Sequence, residues 1–173
     1  IAVTGVQTCA LPISDPWPVA ALARVWQVWS PNKTLGLTGL RGAYVIAPLG
    51  ADGLVSRFNA LAPSWPLGGH AEAMLGAWVT PAVQDWVVQS HQTLRAWKER
   101  QWAGLTALGW RCTPSDTPFF TGTPPQPLDA AAMRAQGLKL RDTTSMGLPG
   151  AWRLGVRPPA EQDVLFGFLK GLA

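Results

Sequence analysis

A short stretch near the start of the chain brings together three side chains that can do chemistry. It runs from Ser30 to Tyr44 and reads SPNKTLGLTGLRGAY, with Lys33 three residues after Ser30 and eight before Arg41. The Ser30 hydroxyl and the planar Arg41 guanidinium are donors that suit a phosphate group. We expect Lys33 to be partly shielded from water beside Arg41, which favours the uncharged amine that attacks a carbonyl carbon. The stretch therefore predicts a site for a compound that carries both a phosphate and a carbonyl group.

Pyridoxal phosphate carries both groups, and the stretch predicts it as the ligand. From the residues alone, three other interpretations stay open. A lysine beside a glycine turn is usually a solvated surface residue. A non-catalytic phosphate- or nucleotide-binding module is the second interpretation, although the phosphate loop of NTPases places its glycines before the lysine, whereas Lys33 precedes Gly36 and Gly39. A broken reading frame without a cellular role is the third.

Two predicted strands must hold this stretch at its ends. Residues 25–30, VWQVWS, are β-branched and aromatic, which is typical of a buried strand. Residues 43–47, AYVIA, predict a second strand that ends at Pro48. Short helices are predicted around these strands, at residues 18–24, 51–61 and 71–79.

The longest periodic segment runs from Pro81 to Leu108 and predicts one long helix. Its apolar residues recur every three or four positions, Pro81 suits a first helical turn, and Gly109 suits the end. A helix of this length spans about 42 Å at ~1.5 Å per residue, which is enough to link two lobes. After it, strands are predicted at 110–113, 119–122, 138–142 and 152–156, with helices at 128–136 and 160–169. This alternation predicts a small α/β lobe.

Composition excludes several classes of protein. Of the 173 residues 47% are hydrophobic and only 14% are charged, which is typical of a chain with a packed core and not of a disordered one. The net charge of +4 comes from scattered residues, so we expect neither a nucleic-acid nor a membrane partner. No apolar stretch approaches the roughly 20 residues that span a bilayer. Cys112 has no Cys/His cluster around it in the sequence, so we expect no metal site.

The first residues resemble something other than a protein. Residues 3–13, VTGVQTCALPI, are similar over their whole length to the conceptual translation of a sequencing adapter. We therefore interpret residues 1–14 as an artefact and exclude them from the fold; an ordinary N-terminal strand and turn is the alternative. The exclusion removes Cys9 and leaves Cys112 alone, which suits a reducing cytosol.

Three motifs resemble those of the class I/II aminotransferases of fold type I, which are pyridoxal-phosphate enzymes. Ser30, Lys33, Gly36, Gly39 and Arg41 match the family's cofactor-lysine signature, with an asparagine just before the lysine where the family usually has a smaller residue. The string PSDTPFF resembles the family's Pro-Ser segment, with a proline in place of its usual asparagine. The string KLRDTTSMGLPGAWRLGVRPPAEQDVL resembles the C-terminal segment of histidinol-phosphate aminotransferases and threonine-phosphate decarboxylases.

The resemblance implies a role for five residues. Lys33 would bind the aldehyde of the cofactor and later carry the proton between substrate carbon and cofactor. Ser30 and Arg41 would bind the cofactor phosphate. Arg153 would clamp a substrate carboxylate or phosphate, and Arg141 would meet a substrate phosphate.

The resemblance also implies the organisation of the chain. The fold class would be α/β, made of the C-terminal part of the fold type I large domain and the small α/β domain. We expect the large-domain part at residues 15–80, an interdomain helix at 81–108 and the small domain at 109–173. The family's pyridine-pairing aspartate and other cofactor contacts lie further upstream, so we expect this chain to be inactive by itself.

The implied function is transamination of an amino acid or a phosphorylated amine, similar to histidinol-phosphate aminotransferase. The alternative within the resemblance is decarboxylation of threonine phosphate. A small-molecule substrate, a homodimer when full length and a cytoplasmic location complete the expectation.

Overall fold

The computed structural model of the protein describes residues 18–172. The residues interpreted as an artefact, 1–14, lie outside that range. The described residues form two compact units, one within Ile1–Gln89 and one within Ser90–Ala173, called here the N-terminal and C-terminal units. Helices and strands alternate through both, which confirms the α/β class. The division at residues 80 and 108 stays a prediction.

The N-terminal unit is built around a two-stranded antiparallel ribbon. Strand β1 (Gln27–Trp29) pairs with β2 (Tyr44–Ile46), and Val28 lies opposite Val45. Its helices that precede the long helix are α1 (Val19–Leu22), α2 (Asp52–Leu61) and α3 (Gly69–Trp78).

The strand predicted at residues 25–30 forms at Gln27–Trp29, but the prediction that it is buried is wrong. Val28 is 69% exposed and Val45 is 55% exposed. Both faces of a strand are buried only when other layers cover both sides of its sheet. Within residues 18–89, no third strand extends the ribbon.

The long helix α4 (Pro81–Ala107) begins where the sequence predicts and ends one residue earlier. Its end is a Schellman motif, in which Trp110 N–H donates to Leu105 O and Gly109 N–H donates to Thr106 O. Gly109 has φ +80°, a left-handed conformation that glycine adopts without steric cost. Among the helices of residues 18–172, none is both long and apolar enough to cross a membrane.

The C-terminal unit is a four-stranded antiparallel sheet with helices. Its strands are β3 (Arg111–Thr113), β4 (Phe119–Thr123), β5 (Arg141–Asp142) and β6 (Trp152–Gly155), in the spatial order β3-β4-β6-β5. Helices α5 (Ala130–Ala135) and α6 (Pro159–Lys170) complete it. The core combines the end of α4, the sheet and α6, in the residues Leu105, Trp110, Phe120, Leu154, Leu165 and Leu169.

Alternation along the strands gives this sheet one apolar and one polar face. Phe120 lies opposite Leu154, and both side chains are buried in the core. The next pair along, Thr121 opposite Arg153, therefore belongs to the other face.

Strand β5 is shorter than its predicted span of residues 138–142, because only Arg141 and Asp142 pair with β6. Beyond that point the carboxamide of Gln101, which is buried, bonds the backbone of the chain after Leu154. Its Nε2 donates to Gly155 O at 3.1 Å, and its Oε1 accepts from Arg157 N–H at 3.1 Å. A side chain of α4 thus satisfies groups that a longer β5 would have to satisfy.

Candidate functional site

The lysine predicted to be the nucleophile lies in a single helical turn after β1. Residues 31–36 form consecutive turns, in which Leu35 N–H donates to Pro31 O at 3.0 Å and Leu37 N–H donates to Asn32 O at 2.7 Å. Gly36 has φ +70° and ends this turn. Lys33 therefore lies in a short turn whose backbone hydrogen bonds enclose it on both sides.

Asn32 organises the loop from within. It is buried, and its Nδ2 donates to Leu40 O at 3.1 Å. Its Oδ1 accepts from Lys33 N–H at 2.9 Å and lies 3.1 Å from Ser30 Oγ. The side-chain amide of Asn32 thus connects Ser30 at the start of the loop, the backbone of Lys33, and Leu40 near the end of the loop.

Ser30 and Arg41 lie at the two ends of the same loop. Ser30 Oγ donates to Gly42 O at 2.9 Å, which fixes the serine beside the arginine backbone. The Arg41 guanidinium is exposed and donates to Thr38 O at 2.5 Å and Leu40 O at 3.2 Å. The structure therefore places Ser30, Lys33 and Arg41 on one loop, closed at its base by the serine.

Gly42 lets the loop return close to α3. A Cβ atom at this position would lie 3.0 Å from Ala71 Cβ and 3.1 Å from Met74 Cε. Both neighbours are buried on α3. A larger residue would require Ala71 or the end of Met74 to move by a few tenths of an ångström, so glycine allows this close approach without any shift.

The expectation that Lys33 is shielded from water is wrong. In the turn at residues 31–36 the buried residues are Pro31 and Asn32, and Lys33 is exposed. The Asn32 side chain points into the loop, where it bonds Leu40 O, and the next residue, Lys33, faces solvent.

The Arg41 guanidinium and the Lys33 amine fit pyridoxal phosphate chemically, whereas the one Ser30 hydroxyl proton is donated to Gly42 O and has to rotate away before it can reach a phosphate. A hydroxyl and a guanidinium are phosphate ligands, and an amine is the group that an aldehyde requires. Between Ser30 and Ala51 the sequence has no acidic residue that would repel a phosphate. The cofactor-binding roles of Ser30, Lys33 and Arg41 stay predictions.

In the C-terminal unit the structure pairs the two arginines predicted to bind substrate. Arg153 of β6 lies directly opposite Arg141 of β5 across the antiparallel ladder. Directly opposite side chains have Cβ atoms about 5 Å apart on the same face of a sheet. Neither arginine makes an ion pair within residues 18–172. Like charges opposite one another destabilise a sheet, and an anion between them relieves the repulsion.

An aromatic ring holds the guanidinium of Arg153. Its Cζ atom lies 5.0 Å from the centre of the Phe119 ring, a cation–π contact. Phe119 lies opposite Gly155, so Arg153 reaches the ring diagonally, from two residues away.

The segment before Phe119 is fixed by polar groups. Ser115 Oγ and Thr117 Oγ1 both donate to Phe119 O, at 2.5 Å and 2.9 Å. Lys98 of α4 donates to the carbonyl oxygens of Ser115 and Thr117. Partial burial lowers the pKa of Lys98, and the nearby Asp116 carboxylate opposes that effect.

Three residues of these sites were missed from the sequence. Asn32 carries a weak signal, because asparagine after Ser-Pro often bonds nearby backbone groups. Phe119 and Lys98 carry none, because their contacts depend on strand register and on a helix distant in sequence. The five predicted residues divide between the units, with three in the N-terminal unit and two in the C-terminal unit.

The chain belongs to the aminotransferases. The family described as “Aminotransferase class I and II” matches residues 23–168, which includes both groups of predicted site residues. This confirms the resemblance on which the sequence predictions were based. No protein among the curated sequences matches the chain at a significant level.

Solved structures share the fold. A decarboxylase from Sulfurospirillum multivorans superposes with a TM-score of 0.72 at 18% identity, over 85% of this chain and 43% of that one. The histidinol-phosphate aminotransferase of Clostridium acetobutylicum gives 0.70 at 15% identity, over 85% and 45%. The L-threonine-O-3-phosphate decarboxylase of Porphyromonas gingivalis gives 0.58 at 22% identity, over 85% and 46%. The chain spans less than half the length of each.

Proposed function

We propose that the chain is the cofactor-lysine and small-domain part of a pyridoxal-phosphate-dependent aminotransferase, acting on an amino acid or a phosphorylated amine. One observation supports this most strongly. Ser30, Lys33 and Arg41 occupy one bonded loop within the matched residues 23–168 of an aminotransferase family.

Each residue of the loop has a distinct part in this proposal. Ser30 and Arg41 would bind the phosphate. Lys33 Nζ would hold the aldehyde carbon and, once released from it, would move the proton at the substrate carbon. Asn32 fixes the Lys33 backbone. When bound, the cofactor supplies an electron sink that stabilises negative charge on the substrate carbon.

The paired arginines favour an anionic substrate. Arg141 and Arg153 together present two guanidinium groups, each able to bind a carboxylate or phosphate with two parallel hydrogen bonds. A phosphorylated amine or an amino acid meets that requirement. We therefore propose that this pair, with Arg153 as the principal residue, binds the acidic group of the substrate.

Decarboxylation of threonine phosphate is the second candidate. It is favoured by the similarity in fold to two solved decarboxylases, at TM-scores of 0.72 and 0.58. Both candidates would use the same lysine and the same anion-binding residues. They differ in the bond that breaks at the substrate carbon, which is C–H in transamination and the bond to the carboxylate carbon in decarboxylation. A non-catalytic phosphate-binding module is the candidate of another class.

We propose that the 173-residue chain has no turnover alone, because it spans less than half of the solved structures that it matches. For an enzyme of this family that contains the chain, we propose a homodimer in the cytoplasm with a small-molecule substrate. These proposals follow the resemblance to the family.

Covalent trapping tests the role of Lys33. The chain has four lysines, Lys33, Lys98, Lys139 and Lys170, so three of them serve as internal controls. After incubation with pyridoxal phosphate and reduction with borohydride, peptide mass mapping should find the label mainly on Lys33. Competing inorganic phosphate should lower that labelling, because it occupies the same donors.

Two variants complete this test. Arg41→Gln should lower labelling of Lys33 about tenfold, since one charged phosphate contact is lost, while labelling of Lys170 stays constant. Equal labelling of all four lysines, or labelling of Lys33 that ignores Arg41→Gln, would contradict the proposed function and favour the solvated-lysine interpretation.

A further inference from the structure

We propose that Phe119 is a positioning residue for anion binding: its ring orients the Arg153 guanidinium, and the bonds of Lys98, Ser115 and Thr117 orient Phe119. This inference rests on the proposed anion-binding role of Arg153. It adds to that role Phe119, on strand β4, and the hydrogen bonds that fix the segment before Phe119.

The first step is the placement of the arginine. Arg153 is half-buried, and its guanidinium lies over the Phe119 ring at 5.0 Å. Within residues 18–172 it has no carboxylate partner, so the ring is its principal fixed neighbour. A ring face attracts a cation and restricts its plane, while leaving the guanidinium N–H groups available to a ligand.

The second step is the space that permits this contact. Position 155, directly opposite Phe119 on β6, is a glycine, and a Cβ atom there would meet no other atom within 4 Å. The ring therefore has no side chain directly opposite it on β6, and Arg153 can approach the ring from the diagonal position without competition.

The third step is the rigidity of the ring. Phe119 O accepts hydrogen bonds from the hydroxyl groups of Ser115 and Thr117. The Lys98 amine donates to two carbonyl oxygens of the preceding segment. Phe119 thus enters β4 from a segment with most of its polar groups satisfied. An arginine side chain loses considerable rotamer entropy when fixed, and a ring that fixes it in advance lowers that cost on binding.

The experiment titrates the 173-residue chain, labelled with ¹⁵N, with inorganic phosphate and follows the Nε–Hε resonance of Arg153. Arg153→Lys assigns that resonance. In the wild-type chain the aromatic ring should shift the Arg153 Hδ protons upfield, a measurement that requires no substitution at Phe119. Phosphate binding elsewhere in the chain does not interfere, because the readout is local.

Phe119→Leu should weaken phosphate binding at Arg153 about fivefold, because leucine fills similar volume without attracting a cation. Phe119→Tyr should keep the phosphate affinity within about twofold of wild type, because tyrosine also attracts a cation to its ring. If Phe119 only filled space, the leucine variant would bind phosphate as well as the tyrosine variant. Amide resonances of β4 and β6 outside the substituted position report whether each variant is folded.

The outcomes separate this inference from the proposed function. An absent ring shift, or equal affinities for Phe119→Leu and wild type, would overturn the positioning role while the anion site stands. If phosphate leaves the Arg153 Nε–Hε resonance of the wild-type chain unshifted, the anion site fails and the positioning role fails with it.

Discussion

At the scale of single residues, a buried amide shapes the candidate cofactor loop. Asn32 uses its donor and its acceptor together, on Leu40 O and on the Lys33 N–H. A buried amide with all partners present stabilises one arrangement of the chain against others. The Asn32 side chain therefore fixes the backbone orientation at Lys33.

Asn32→Ala should destabilise the chain by about 1–3 kcal/mol, because it leaves a backbone N–H and a carbonyl without their partner. Urea denaturation measures this change. Asn59→Ala is the matched control, since Asn59 is exposed on α2 and should change stability by less than about 0.5 kcal/mol. Equal effects of the two substitutions would contradict the organising role of Asn32.

The second residue-scale prediction concerns Lys98 and pH. Burial lowers the pKa of Lys98 below its ordinary value of 10.5. Between the lowered pKa and 10.5 the unfolded chain binds more protons at this position than the folded chain, so the contribution of Lys98 to stability rises with pH across that window. Below the lowered pKa its contribution is constant.

Lys98→Met should remove this rise. Denaturant unfolding of wild type and variant at a series of alkaline pH values gives the difference, in which the other titrating groups cancel. Lys170→Met, at an exposed position on α6, is the control and should keep the wild-type slope. A variant slope identical to wild type would show that Lys98 titrates as a solvated amine.

At the scale of elements, α4 and α6 are packed through a glycine. A Cβ atom at Gly104 would lie 2.4 Å from Cζ of Phe166, so the two helices approach closely at this point. Gly167, one residue further along α6, would meet nothing within 4 Å. The two helical glycines therefore differ in packing while sharing the same helix propensity.

Gly104→Ala should lower the free energy of unfolding by about 1–3 kcal/mol through overpacking, although alanine favours helix. Gly167→Ala should raise it by up to about 1 kcal/mol, since only propensity changes. Gly104→Ala combined with Phe166→Leu should recover part of the loss. Thermal or urea unfolding of the three variants decides, and a stabilising Gly104→Ala would contradict the close packing.

Elements with strong local signals were predicted well from the sequence. The ends of α4 follow from Pro81 and Gly109, and β2 and β4 lie within about one residue of their predicted spans. The shortened β5 could not be predicted, because the Gln101 carboxamide that replaces its pairing comes from a helix some forty residues earlier. The pairing of Arg141 with Arg153 required the register of two strands, which the sequence alone leaves open.

At the scale of the whole molecule, the N-terminal unit exposes several large apolar side chains. Its exposed side chains include Trp26, Val28, Val45, Ile46, Phe58 and Trp65. Contiguous apolar surface binds hydrophobic dyes and favours association. We expect the chain to bind the dye ANS in its folded state.

Substituting the opposed pair, Val28→Thr with Val45→Thr, should lower ANS fluorescence by about half, because threonine keeps the β-branched shape and adds a hydroxyl to an exposed ribbon. Val88→Thr with Val164→Thr makes the same chemical change at two exposed helical positions and should leave the dye signal nearly unchanged. A similar drop in both double variants would show that the ribbon is not the binding surface.

The hydrogen bonds of the Gln101 carboxamide make the segment at residues 137–140 a candidate site for inserting residues. Because this side chain satisfies Gly155 O and Arg157 N–H, residues 138–140 have no ladder to maintain there, and a cavity of about 530 Å³ lies between the two segments. Extra residues grafted after Gly137, such as an affinity tag or a fluorophore-binding peptide, would lengthen a connection whose closure costs little more entropy. The graft would leave the arginine pair in its register, so a reporter could be attached close to the polar face of the sheet.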